Sequence, residues 1–203
     1  MQNAQLTVIV AAYRRYDQLP VVLHSFLCQT LQNFRLLIIH DGPDAAMETL
    51  LADYKSRYSE RIDYVLTPTR YNDFGHSLRE LGIALADTPF LLFTNDDNYY
   101  VPRFLELMFA RIKQRKLDVL MCNMIHSHEN PGGRDQRGYN LFITRPRKLS
   151  VDIGCFIVRT EYARRAGFRD KTHDGDGTFF EDILACSPPP RVGKLARVLF
   201  VHN

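Results

Sequence analysis

Apolar runs and stretches of helical period alternate through the first half of the chain. Residues 6–12, LTVIVAA, are an almost continuous apolar run, the pattern of a strand buried on both faces. Residues 17–29 follow, with Leu19, Val22, Leu23, Phe26 and Leu27 at helical spacing. The alternation then predicts a strand at 34–39, a helix at 44–58, a short strand at 62–66, a helix at 77–86 and a strand at 90–94. Strands separated by helices of this length imply βαβ units and a parallel sheet. Such sheets take ligands at the carboxyl ends of their strands. Those ends hold Ala11-Ala12-Tyr13, His40-Asp41-Gly42, residues 67–70, and Asn95-Asp96-Asp97-Asn98.

The second half is less regular. A helix is expected at 101–116 and a strand at 117–125, then a polar, Gly-rich loop at 126–140, a length that commonly carries function. A strand at 153–158 and a helix at 160–166 follow. Phe179, Phe180, Ile183 and Leu184 share one face of a helix at 178–186, which Ser187-Pro188-Pro189-Pro190 stops before a last strand at 195–201. The expected organisation is one domain over 1–203, with a nucleotide-binding half at 1–98 and a mixed half at 99–203.

Composition narrows the partners. With 203 residues, 45% hydrophobic and 24% charged, disorder and collagen-like structure are excluded. A net charge of +3 is too small to argue for nucleic acid, so no such partner is expected. The basic clusters, Arg14-Arg15 and residues 111–116, 145–148 and 164–165, read as solvated faces that would also suit an anionic ligand or a membrane surface. No apolar run approaches the ~18 residues that span a bilayer, and the polar start, Met1-Gln2-Asn3, lacks the basic region of a signal peptide. Cys28, Cys122, Cys155 and Cys186 are scattered, without a CxxC pair. The cytosol is the simplest compartment.

Candidate chemistry concentrates in a few places. Asp96 and Asp97 repel each other directly after a buried strand, so a positive partner is expected beside them. A divalent cation bridging diphosphate oxygens would satisfy both; a capping loop before Val101-Pro102 would explain only one. Asp41 stands at a tight turn and serves either that turn or a ligand. Arg79 lies on the helix after Asn72-Asp73-Phe74-Gly75, facing phosphate or solvent. No GxGxxG or P-loop pattern occurs, which disfavours dehydrogenases and P-loop enzymes. In His173-Asp174-Gly175-Asp176-Gly177, Asp176 is placed as a general base if it faces a cleft, or else as an N-cap. Glu181-Asp182 is a second acidic pair. His202 ends the last strand, where a lone histidine is more often structural than a ligand. His126, His128 and Glu129 imitate a metal site, but their loop context favours solvent exposure.

Taken in order, these blocks resemble the family 2 glycosyltransferases of the GT-A fold, across nearly the whole chain. The carriers are Val8 to Tyr13, Gln29 to Gly42, Asn72 to Gly75 followed by Arg79, Gly82-Ile83 and Ala86, then Asn95-Asp96-Asp97 in the DxD region with Tyr99 to Pro102 behind it, and Gly154 to Arg159 with Gly167-Phe168. The resemblance implies an α/β fold with a Rossmann-like, mostly parallel central sheet flanked by helices. It further implies a nucleotide-diphospho-sugar donor, UDP-linked first of all, and an inverting, Mn²⁺- or Mg²⁺-dependent transfer to a saccharide or lipid-linked acceptor, as in bacterial polysaccharide or glycoconjugate synthesis. Asp41 would contact the base, Ala11 and Tyr13 would line its pocket, and Arg79 would lie near the nucleotide. Asp96 would lie near the ribose, with Asp97 and His202 on the metal. His40, Pro43 and Glu80 depart from the family pattern, in which an acid, a Ser and an Asn are usual.

The base has two candidates. Glu181-Asp182 spells the family's ED literally but ends four residues before Ser187. Asp176 opens a full helix and lies 26 residues before His202, the spacing expected from the terminal histidine, and is preferred. The expected location is cytoplasmic, with peripheral contact at the inner membrane face. A nucleotide-sugar-binding homologue without a working base, and a metal-dependent phosphohydrolase, are the competing classes.

Overall fold

The computed structural model describes residues 4–126 and 138–203. Its elements run β1 (Leu6–Ala12), α1 (Gln18–Leu27), β2 (Phe34–His40), α2 (Ala45–Arg57), β3 (Ile62–Leu66), α3 (His76–Leu85), β4 (Phe90–Asn95), β5 (Tyr99–Tyr100), α4 (Phe104–Arg115), β6 (Val119–His126), β7 (Asn140–Phe142), β8 (Phe156–Arg159), α5 (Thr160–Ala166), α6 (Gly175–Leu184) and β9 (Val192–His202). One sheet carries the strands in the order β3-β2-β1-β4-β8-β6-β9-β5, with β7 beside β6. The β3, β2, β1 and β4 neighbours are all parallel, whereas β8 is antiparallel to β4 and to β6, and β9 runs parallel to β6. Parallel strands covered on both faces need apolar residues at every position. All seven residues of β1 are buried accordingly.

Close approach of helix to sheet depends on a missing side chain. A Cβ on Gly82 would lie 2.5 Å from Ile9 Cγ2, so α3 settles against β1 only with glycine there. In the second half, Tyr100 stacks on Phe200 at 4.9 Å and donates its hydroxyl to Gly154 O at 3.0 Å. This joins β5, β9 and the segment before β8 into one aromatic core.

Four details differ from the sequence-based expectation, each for a local reason. Helix α6 begins at Gly175 rather than 178, because a Cβ at that position would meet Asp170 O at 2.4 Å and only glycine fits. Asp176 therefore lies in the first helical turn, and Asp174 occupies the N-cap position. Residues Ile153–Cys155 form a 3₁₀ turn before β8, fixed by Gly154 N–H donating to Asp152 Oδ1 at 2.8 Å. The last strand starts at Val192 and stays paired with β6 through a bulge between Cys122 and Met124. His126 lies at the end of β6 instead of in a loop, while His128, Glu129 and the rest of residues 127–137 fall outside the described residues.

Candidate active site

The sheet order places β1 and β4 side by side, while their chain connections leave in opposite directions. That is the switch point at which open α/β sheets form a crevice. Ala11 pairs with Asn95 in register, so the next residues of both strands meet beyond the sheet. There Tyr13 N–H donates to Asp96 Oδ2 at 2.7 Å, extending the ladder through a side chain. Arg15 supplies the positive partner that the acidic pair requires: its Nε lies 3.4 Å from Asp96 Oδ1 and its guanidinium pairs with Asp97 Oδ2. A cluster read as a solvated face thus contributes one arginine to the site. Burial pushes the Asp96 carboxyl up to about 6. Asp97 Oδ1 is buried and has no hydrogen-bond partner among the described residues.

Asp41 closes the neighbouring turn. Its carboxylate accepts from Tyr71 N at 2.7 Å and from Asn72 N at 3.0 Å, with Arg70 Nε 3.8 Å away. The Arg70 guanidinium lies 3.9 Å from the centre of the Tyr13 ring, which stacks on His40 at 5.8 Å. His40, the departure from the usual acid, therefore serves as a support for Tyr13.

Arg79 is 2% exposed, so it is not a solvated arginine, and it lines the cavity. Its NH2 donates to Asn95 Oδ1 at 2.6 Å, and its NH1 donates to Phe74 O at 3.0 Å and to His76 Nδ1 at 3.0 Å. His76 Nε2–H donates to Thr172 O at 2.9 Å, which fixes this tautomer. Burial and the neighbouring Arg79 charge lower the His76 pKa, keeping the ring neutral near pH 7. Asp176 Oδ1 stands 3.3 Å from Arg79 NH1 and 3.6 Å from His76 Nδ1, yet makes no hydrogen bond with either.

The opposite wall comes from β6 and β9. His126 and His202 pair in register, and their rings stack at 4.8 Å and 4°. His202 Nε2 lies 3.3 Å from Asp152 Oδ2. Asn203 Nδ2 donates to Asp97 O at 2.9 Å, tying the end of β9 to the acidic pair. Burial, then the charge of Asp176, pushes the Asp152 carboxyl up to about 6. A raised carboxyl pKa gives stability that is complete below the unfolded value of 3.8 and is lost as pH rises through about 6. Asp152→Asn, neutral at every pH, is therefore expected to gain about 1–3 kcal/mol relative to wild type between pH 5 and 8. Urea midpoints of the two proteins across that range measure the difference, and a difference independent of pH contradicts it.

A cavity of about 810 Å³ joins these walls. Ala11, Tyr13, Asp41, Arg79, Asp96, Asp97, Asp176 and His202 all line it. Glu181 and Asp182 do not: Glu181 accepts from Lys148 N at 3.2 Å, and Asp182 is held by Arg169 through contacts of 2.6 and 3.0 Å. Further lining residues carry charge that the sequence did not single out for the site, among them Arg15, Arg70, Lys148 and Asp152. Only the break in apolar pattern at Asp152, just before Ile153, could have signalled that carboxylate. No group of three metal-ligating side chains converges among the described residues, so a bound cation would take part of its shell from its ligand.

The fold is that of a GT-A domain, with a cavity at its switch point. The same fold occurs in S. aureus TarS 1-349 (TM-score 0.78, 18% identity, covering 98% of this chain and 60% of that one). It also occurs in the mannosyltransferase PcManGT from Pyrobaculum calidifontis, solved with GDP-Man and Mn²⁺ (TM-score 0.73, 12% identity, 100% and 57% covered). Residues 7–174 match the model of the glycosyl transferase family 2, and the chain belongs to that family. An uncharacterized glycosyltransferase of Rickettsia bellii is 26% identical over 160 residues, covering 79% of this chain. The putative glycosyltransferase EpsH of Bacillus subtilis is 24% identical over 132 residues, covering 65%. The chain spans 21% and 37% of those relatives' own lengths. No helix among the described residues is long and apolar enough to cross a membrane.

Proposed function

We propose that this domain transfers a sugar from a nucleoside-diphosphate donor, UDP-linked in the first instance, to an acceptor hydroxyl with inversion. One observation carries the reading: a cavity at the switch point is lined by Asp41, Tyr13, Asp96, Asp97 and Asp176 together. Complexes of TarS 1-349 with UDP and with UDP-GlcNAc support the choice of UDP. Tyr13, Ala11 and Asp41 would receive the base, and Asp96 the ribose.

Asp97, through its unpartnered Oδ1, and His202 would hold Mn²⁺ or Mg²⁺. The donor set fits a hard cation that takes its remaining oxygens from diphosphate. Bound there, the ion would neutralise charge on the departing diphosphate. Asp176 would accept the acceptor hydroxyl's proton as that oxygen attacks the anomeric carbon from the face opposite the diphosphate. The Arg79 charge, 3.3 Å away, holds the Asp176 carboxylate without hydrogen-bonding its Oδ1. The acceptor would be a saccharide or a lipid-linked saccharide. Peripheral contact with the cytoplasmic membrane face is supported by the exposed Arg145 and Arg147 near the cavity rim residue Lys148.

The test is a melting screen of nucleoside diphosphates and their sugars with and without Mn²⁺. UDP at about 100 times its Kd is expected to add about 2.7 kcal/mol and raise Tm, more strongly with Mn²⁺. No shift with any nucleotide removes the proposal. Binding with neither transfer nor donor hydrolysis would leave a binding protein, and phosphate release from simple esters would indicate a phosphohydrolase.

A further inference from the structure

An exposed aromatic side chain is held at the rim of the cavity by backbone that aromatic residues rarely adopt. Phe74 has φ 59°, and Asn72 before it has φ 54°, both in the left-handed region. Burial does not explain this conformation, because Phe74 is 61% exposed. Four contacts impose it instead. Asn72 N–H donates to Asp41 Oδ2 at 3.0 Å, and Phe74 O accepts from Arg79 NH1 at 3.0 Å. Asp73 Oδ2 accepts from Ser77 N at 3.0 Å and from Ser77 Oγ at 2.6 Å. Strain kept by so many ties, for a side chain with no place in the core, marks a functional position.

The surroundings say what would cover the ring. Phe74 and His173 both line the cavity, and their rings meet edge to face at 5.7 Å and 89°. Phe74 also lies 6.3 Å from the His76 ring, and His76 Nδ1 is 3.6 Å from Asp176 Oδ1. The ring therefore flanks the Asp176 end. The Tyr13 ring, by contrast, is already stacked on His40 and covered by the Arg70 guanidinium. A ligand at the Phe74 end must offer a flat apolar face to the π surface and hydroxyls to Asp174, Asp176 and Lys148 on the rim. A pyranose has that form, with C–H bonds on one face and hydroxyls around its edge.

We propose that Phe74, with His173 at its edge, is the stacking platform for the acceptor sugar, so that the acceptor is a saccharide bound by its ring face. This rests on the reading of Asp176 as the base, and it deepens that reading by naming the residue that would bind the acceptor's ring face. Stacking reads a face rather than one hydroxyl pattern, so simple pyranosides bind weakly but measurably.

The chain contains no tryptophan, so Phe74→Trp introduces a single fluorescent reporter at this position. With UDP and Mn²⁺ present, its emission is expected to shift saturably on titration with methyl β-D-glucopyranoside, methyl β-D-galactopyranoside or methyl α-D-mannopyranoside, and not with the open-chain polyol sorbitol. By saturation-transfer NMR, Phe74→Ala is expected to bind the same glycosides about tenfold more weakly than wild type. Its UDP-induced melting shift should stay unchanged. The proposal is overturned if no glycoside moves the indole emission, or if Phe74→Ala binds glycosides like wild type. It is also overturned if Phe74→Ala loses the UDP shift, which would assign the ring to the donor. A wild-type protein that shows no UDP shift but binds glycosides through Phe74 sinks the donor reading alone.

Discussion

Asp176→Asn is expected to lower the transfer rate by about 10²–10⁴-fold, the usual contribution of a positioned general base. The UDP-induced melting shift should survive. The amide keeps the shape of the carboxylate but cannot accept the acceptor's proton. It also removes the negative charge 3.3 Å from the buried Arg79 guanidinium, so a urea midpoint measured beside the transfer rate separates lost stability from lost chemistry. Asp182→Asn is the paired control. Its carboxylate belongs to a solvent-screened ion pair with the exposed Arg169, and it lies outside the cavity lining. Transfer by Asp182→Asn should match wild type. Unchanged transfer in Asp176→Asn together with loss in Asp182→Asn reverses the assignment.

The second large effect is on stability. Arg79→Ala is expected to cost about 3–5 kcal/mol, because it strands buried partners rather than only losing its own contacts. Asn95 Oδ1, Phe74 O and His76 Nδ1 would face an unfilled space beneath the cavity. For a chain of this size the melting temperature should fall by about 10 °C. Arg79→Lys should recover only part of this, since a single ammonium cannot reproduce a planar fork reaching acceptors in two directions. Transfer should fall with stability, because the same guanidinium joins the end of β4 to the helix carrying Asp176. If Arg79→Ala keeps its urea midpoint while losing UDP binding, the side chain contacts the nucleotide directly and the holding role is wrong.

Much of this arrangement was legible along the chain. The strands of the first half have a period that does not depend on partners: residues buried on both faces must all be apolar, and β3 was readable to its exact ends at 62 and 66. The acidic pair announced a need for positive charge by its own repulsion. What supplied that charge was not readable. Arg15 belongs to a cluster that looks solvated, and it reaches Asp97, 82 residues further on, only because β1 and β4 are neighbours. The apolar face of Phe179, Phe180, Ile183 and Leu184 marks α6 only from 178; the packing against Asp170 and His76 that demands glycine at 175 has no trace in that pattern.

The sequence by itself determined the βαβ half, the carboxyl-end positions where a ligand would lie, and the ordered blocks that resemble family 2 glycosyltransferases. These are local or periodic properties, set by side-chain polarity and spacing. Only the tertiary structure put Asp176 in the cavity lining and Asp182 outside it, buried Arg79, and set Asp152 against His202. Each of those depends on which side chains meet across distant strands, and a side chain's charge and orientation follow from the neighbours that desolvate or pair it.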